Sequence, residues 1–213
     1  MVTSSSGKTK AKGAPPKSGP ESKPPRTKPR ANSRVKGASF EKEIAREMRQ
    51  VYDSSELLEK LEAAAKVKGK GSVGEHRELL KTSRVRRSDQ GRGAMEPDLV
   101  IQDCPVWLEL QDSRNPTPRE KLAQAERDAK AAGSSLRPVA VVHKTGAKSI
   151  GAWMRVETLL YLCGFDDLTD SAGGVIPLSE APGATLVTMI DYVDLLARLR
   201  FREEVRCAEP ETD

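Results

Sequence analysis

"EPDLVIQDCPVWLELQ", residues 96–111, alternates apolar and polar side chains on either side of a short turn. The alternation predicts two strands, with the turn centred on Asp103 and Cys104. Antiparallel pairing about that turn sets Leu99 opposite Leu108 and Asp98 opposite Glu109, with Cβ atoms about 4.5–5.5 Å apart. Period two then puts Asp98, Trp107, Glu109 and Gln111 on one face and Leu99, Ile101, Val106, Leu108 and Leu110 on the other. The apolar face holds the hairpin to a core, and the polar face builds a site.

Two like charges at that separation repel unless a cation or a shared proton lies between them. A hard divalent ion resolves the conflict. With oxygen ligands on hand and only two histidines in the chain, Mg²⁺ or Mn²⁺ suits the pair better than zinc.

Charge is unevenly distributed. The first 36 residues carry ten Lys or Arg against the single acid Glu21, with six Pro and almost nothing large and apolar. Such a composition cannot bury enough surface to offset its ordering entropy, so residues 1–36 are expected to be a disordered basic arm. The remaining residues hold 26 basic and 30 acidic side chains, so the excess positive charge belongs to the arm. Lys and Arg there suit DNA or RNA, whose phosphates release counterions on contact; the other reading is a solvated linker. No apolar run approaches a membrane span or a secretory signal, so a soluble cytoplasmic protein is expected. Cys104, Cys163 and Cys207 are scattered and odd in number, which fits neither a disulfide framework nor a Cys-x-x-Cys metal site.

Around the hairpin, periodicity predicts a mixed α/β domain over 37–205 and a frayed tail over 206–213. Phe40, Ile44, Met48 and Val51 mark one face of a helix from about Ala38, with Glu41 in its first turn. A second helix runs from Ser54 to Gly69 or Gly71, and "GKGSVGEH" (69–76), with His76, reads as a loop. "SRVRRS" (83–88) is a first strand, completing a three-stranded antiparallel meander. Thr117 then caps a helix with Pro118 at its first position, Glu120 closing a capping box and Gly133 at the stop. Its Leu122, Ala125, Ala129 and Ala132 form a packing stripe, and Gln124 is a candidate to face the site. "RPVAVVHKTG" is a buried strand, on which His143 is a packed or surface residue rather than a general base. "SIGAWMRVETLLYLCG" (149–164) reads as an amphipathic helix, and "ATLVTMIDYVDLLARLRFREE" as a short strand feeding a last helix. Trp107 offers two readings, a base-stacking platform or a structural aromatic.

Pro97-Asp98, ten intervening residues and then Glu109-Leu110-Gln111 resemble the signature of the PD-(D/E)XK nuclease superfamily. The order helix, meander, helix, strand is similar to that superfamily's restriction-endonuclease-like αβββαβ core, a mixed central sheet flanked by helices. More narrowly, "VKGASFEKEIAREM" and "SRVRRSDQGRGAMEPD" look like the opening helix and basic strand of archaeal and phage Holliday junction resolvases. The resemblance spans about residues 36–146.

It implies a metal-dependent DNA endonuclease, a homodimer acting on branched DNA in a phage or bacterial setting, with roles in recombination and repair. Glu41, Asp98, Glu109 and the backbone carbonyl of Leu110 would be Mg²⁺ ligands, with Mn²⁺ a substitute. Lys36, Arg84, Arg86, Arg87, Ser88, Arg92 and Lys144 would contact DNA phosphates. Gln111 stands where the family usually has a Lys; it can orient water but brings no charge. Lys144 and Lys121 are candidates to supply the missing cation. The alternative is a nucleic-acid-binding protein on a scaffold that has lost turnover.

Overall fold

The computed structural model describes residues 33–67, 70–88, 96–169, 174–180 and 183–208. These lie in the unit that begins at Asn32. Residues 33–36, read from sequence as the end of a disordered arm, belong instead to a helix; residues 1–32 of the arm fall outside the described residues, as does Arg92. Three helices come first: α1 (Ser33–Tyr52), α2 (Ser55–Lys66) and α3 (Lys70–Thr82). Strands β1 (Val85–Arg87), β2 (Leu99–Ile101) and β3 (Val106–Ser113) follow, then α4 (Pro118–Ala131) and β4 (Arg137–Lys144). The rest of the unit holds β5 (Ile150–Arg155), α5 (Val156–Leu162), β6 (Asp167–Thr169), β7 (Val175–Pro177), β8 (Val187–Asp191) and α6 (Tyr192–Ala208).

Six strands make one mixed sheet in the order β1-β2-β3-β4-β5-β8, and β6 and β7 form a separate two-stranded ribbon. The expected meander is present: β1 pairs antiparallel with β2, and β2 with β3. β3 and β4 run parallel through the α4 crossover, from Val106 beside Arg137 to Ser113 beside Lys144.

The two faces of the sheet divide as period two requires. Leu99, Ile101, Val106, Leu108 and Leu110 join Val139 and Val141 in one core. Onto it α1 packs Phe40, Ile44 and Met48, and α6 packs Tyr192, Leu195 and Leu199. On the opposite face α4 lays Leu122 against Ala140 and Val142, and Ala125 and Ala129 against Trp107. Trp107 is 2% exposed, which removes the base-stacking reading: the indole is roofed by the helix.

Four local expectations are corrected. Helix α1 begins at Ser33, not near Ala38, so Glu41 lies two turns in and has no role at the helix start. The stretch read as a loop is α3, with His76 inside it; α3 packs on α2, and that contact overrides the low helix propensity of Gly71 and Gly74. Residues 150–155 are a strand rather than the first half of a helix, because β5 is paired on both sides, with β4 and with β8. Thr117 is the N-cap of α4 as expected but makes no side-chain cap, so the capping box with Glu120 does not form. Gly133, with φ of 64°, ends that helix as a residue without Cβ can.

An ion network holds the end of α6 to the base of the meander. Arg84 Nη1 donates to Glu203 Oε1 at 2.6 Å and to Tyr52 O at 3.0 Å, and Nη2 reaches Gln102 O and Asp103 Oδ2, both at 3.2 Å. Arg206 also donates to Glu203 at 2.8 Å. Hydrogen bonds from Arg206 and Arg84 hold the Glu203 carboxyl down at about 2, from an ordinary 4.5. A depressed carboxylate pKa gives stability that is complete above the unfolded value and is lost as pH falls through the folded one. Glu203→Gln is therefore expected to cost about 1 kcal/mol at neutral pH, a figure kept small by solvent screening. In urea unfolding across pH, the gap to the parent chain should shrink below about pH 4.5 and close near pH 2; a gap that ignores pH would show that the charge plays no part.

Candidate functional site

The site lies where β2 begins and where β3 is half run. Leu99 faces Leu108 as the hairpin register predicts. One residue earlier the ladder slips, because the Asp98 N–H donates to that same Leu108 carbonyl at 3.1 Å. Two consecutive residues of β2 thus share one residue of β3, the arrangement of a β-bulge, which re-aims a side chain. The Asp98 carboxylate turns along the sheet and its Oδ2 accepts the Leu110 N–H at 2.7 Å. The expected direct opposition of Asp98 and Glu109 is accordingly replaced by a staggered pair.

Lys121 joins the two acids. From the first turns of α4 its Nζ donates to Glu109 Oε2 at 2.6 Å and to Asp98 Oδ2 at 3.4 Å. Glu109 Oε1 accepts from Trp107 Nε1 at 3.2 Å, so both oxygens of this carboxylate are taken. Glu109 is 4% exposed. Burial first, and then the Asp98 charge, push the Glu109 carboxyl above its ordinary range, against the pull of Lys121. Burial works to lower the Lys121 ammonium, but the charges of Asp98 and Glu109 outweigh it and hold the pKa above the ordinary value. The site therefore keeps its proton on the lysine and sets an ammonium between two carboxylates.

Of the two lysines considered from sequence, the helix one is in the site. Lys144 is exposed at the end of β4, beside Ser113, four residues beyond Glu109 on the neighbouring strand and about 13 Å away along it. Gln111 sits on β3 as predicted, but its Oε1 accepts the Thr117 N–H at 3.3 Å, the donor that the Glu120 carboxylate would take in a capping box. Gln124 is taken up by Asp128 at 3.3 Å and does not join the carboxylates.

Glu41 comes to the other face. It is ion-paired with Arg87, whose Nε donates at 2.9 Å, on the side of the sheet covered by α1. Among the described residues no three carboxylate, histidine or cysteine side chains converge as a metal-ligating group. Arg86 reaches Glu96 at 3.5 Å and Ser88 Oγ donates to Glu96 at 3.4 Å, while the Ser88 N–H closes the ladder on the Asp98 carbonyl. Arg84 belongs to the Glu203 network at the far end of the meander, about 13 Å from Asp98 along the strand. Lys36 lies in α1 with its side chain outside the described atoms.

The donor set can be tested against a hard divalent ion. Asp98 and Glu109 supply carboxylate oxygens. The Leu110 carbonyl points to the same edge of β3 as the Leu110 N–H that meets Asp98. Oxygens of this kind fit Mg²⁺ or Mn²⁺, on condition that Lys121 yields its place on Glu109.

Beside Lys144, sequence reasoning missed three exposed cations at the end of the sheet where β3 and β4 terminate, Arg114, Arg119 and Lys148. Arg114 and Arg119 flank the loop into α4, and Lys148 lies with Lys144 in the β4–β5 hairpin. That hairpin is pinned: the Thr145 N–H donates to Ser113 O at 2.9 Å, and Thr145 Oγ1 donates to Asp112 at 3.0 Å. His143 meets Asp112 at 3.1 Å and stacks on Phe40, the packed role expected of it. The signal was available in "SRNPTPR" and "KTGAK", where cations fall in turns at strand ends. A cavity of about 550 Å³ lies elsewhere, between α1, α2 and α3.

Compared with protein-family models and with curated proteins, the chain matches none.

A buried cation between two carboxylates makes a definite thermodynamic prediction. Lys121→Met leaves Glu109 charged and unpaired, and is expected to cost about 3 kcal/mol in metal-free buffer. Adding Glu109→Gln, which removes the charge and keeps an acceptor for Trp107, should recover most of that loss. Urea unfolding of the four proteins of this cycle gives the coupling; simply additive costs would contradict a charge pair.

Proposed function

We propose that the chain is a divalent-metal-dependent DNA endonuclease on a restriction-endonuclease-like core. The observation that carries the reading is the convergence of Asp98 and Glu109, from adjacent strands, on Lys121. Further support comes from the order α, β, β, β, α, β along Ser33–Lys144, with α2 and α3 as an insertion after the first helix. Within that class the likeness of the Lys36-Gly37 opening and of the basic strand "SRVRRS" favours a Holliday junction resolvase acting on branched DNA as a homodimer, with Glu41 turned away to Arg87.

In this reading Asp98 and Glu109 hold the ion, with the Leu110 carbonyl beside them. When bound, the ion supplies charge neutralisation at the scissile phosphate and an acidified water. Lys121 supplies the positive charge that Gln111 lacks, from a helix rather than from β3, and so stabilises the charge that develops on the phosphoryl oxygens. Trp107 fixes the Glu109 rotamer through its indole N–H. Gln111, anchored on Thr117, orients water with the amide group left over. Hydrolysis forms a bond from water oxygen to phosphorus and breaks the bond to the 3′ oxygen, which takes up a proton. Arg114, Arg119, Lys144 and Lys148 offer the backbone a sequence-independent track leading to the carboxylates.

A second reading is a binding protein without turnover. It is favoured by one observation: Lys121 already neutralises the acids, so the fold does not need an ion to tolerate them.

The test is cleavage of labelled four-way junction, linear duplex and single-stranded DNA in Mg²⁺ or Mn²⁺. Symmetric nicking of the junction is expected, with Asp98→Ala and Lys121→Ala each lowering the rate by about 10²–10³ or more. Alanine at the four rim cations should weaken binding and flatten its salt dependence, by about 0.9 in log–log slope for each phosphate no longer neutralised. Tight binding with no cutting in either metal would overturn the enzyme and establish the binding protein.

A further inference from the structure

We infer that Lys121 is a gate that occupies the metal seat and must swing out before a divalent ion can bind. The inference rests on the reading of Asp98 and Glu109 as metal ligands and adds to it a competition between two cations for one carboxylate oxygen.

Glu109 Oε1 is held by the Trp107 N–H and Oε2 by Lys121 Nζ at 2.6 Å. The side chains of Glu109 and Lys121 are 5% and 12% exposed, and that of Asp98 33%. Asp98 is thus the most exposed of the three, and Lys121 Nζ bridges it to the buried Glu109. A hard ion held by Asp98 and Glu109 at about 2.0–2.6 Å would stand against the ammonium bonded to the same two carboxylates, and two cations that close repel. The closed state is moreover favourable in itself, since it neutralises two acids that would otherwise face each other.

Leaving the seat has a cost that depends on what lies outside. Lys121 emerges from the start of α4, in a segment that carries the exposed Arg114 and Arg119 and the exposed acid Glu120. A freed ammonium loses two carboxylate partners, and an arriving anion supplies a new one. The phosphodiester backbone is such an anion, so nucleic acid on the rim opens the gate, and metal and DNA binding favour each other by the same factor. The device would keep the chain from holding a hydrolytic metal when no DNA is bound.

Terbium(III), a hard oxygen-seeking ion, supplies the readout, because Trp107 beside Glu109 can sensitise its emission. The titration is done on the full chain without DNA, followed by displacement with Mg²⁺. Glu109→Gln should abolish the sensitised signal. Lys121→Met and the more conservative Lys121→Gln should each bind on the order of tenfold tighter than the parent, the factor by which a closed state weakens apparent affinity. Arg119→Met removes a neighbouring charge without touching the seat and should move the affinity by less than about twofold. Added metal should also raise the Tm of the Lys121 variants more than that of the parent.

Lys121 variants that bind no tighter than the parent, with the Glu109→Gln control still negative, would overturn the gate and leave the metal site standing. An Arg119→Met effect equal to that of Lys121→Met would reduce the gate to long-range charge. A signal indifferent to Glu109→Gln would remove the metal site itself, and the gate with it.

Discussion

The arrangement at the sheet's centre depends on one ammonium placed between two carboxylates. Asp98 comes from the residue that leads into β2, Glu109 from mid-β3 and Lys121 from α4, so the contact ties the meander to the crossover helix. Each acid alone would be an ordinary strand polar residue. Brought together under a helix that also lays Ala125 and Ala129 on the sheet, they become a buried charge problem that has two solutions, a lysine or a metal ion. The fold carries the first and has the oxygens for the second.

The bulge at Asp98 makes the second solution accessible. Had the ladder continued in register, Asp98 would stand against Glu109 across the strands, with its oxygens directed at α4. Slipping by one residue lays the carboxylate in the plane of the sheet, where one oxygen takes the Leu110 N–H and the side chain stays a third exposed. Beyond Leu108, β3 runs past the start of β2. Gln111, Asp112 and Ser113 are then held by other groups: the start of α4, the β4 partner and the hairpin after it.

Much of this was legible in the sequence, and the failures have physical causes. Two faces of a hairpin follow from alternation alone, which is why Leu99 and Leu108 on one side and Glu109 on the other were assigned correctly. A bulge depends on which carbonyl the Asp98 N–H selects, and no residue pattern encodes that choice. Lys121 could be named only as one of two lysines, since the rotation of α4 over the sheet is decided by how Leu122, Ala125 and Ala129 pack, not by local propensity. Residues 150–155 carry Ile150, Trp153 and Met154 at helical spacing, yet strands on both sides claim their backbone. In the resemblance, Glu41 belongs with the acids; here Arg87, two residues past Val85 on the same face of β1, takes it. The chain therefore departs from the motif at Gln111 and at Glu41, and the cation beside its two acids is Lys121, from α4.

The most direct test is a crystal structure of the chain grown with Mn²⁺, with diffraction recorded at the manganese absorption edge. A metal seat predicts an anomalous peak bounded by Asp98, Glu109 and the Leu110 carbonyl, with Lys121 Nζ displaced from Glu109. No peak at saturating Mn²⁺, with Lys121 still bridging both carboxylates, would contradict it and leave the lysine as the permanent partner of the two acids.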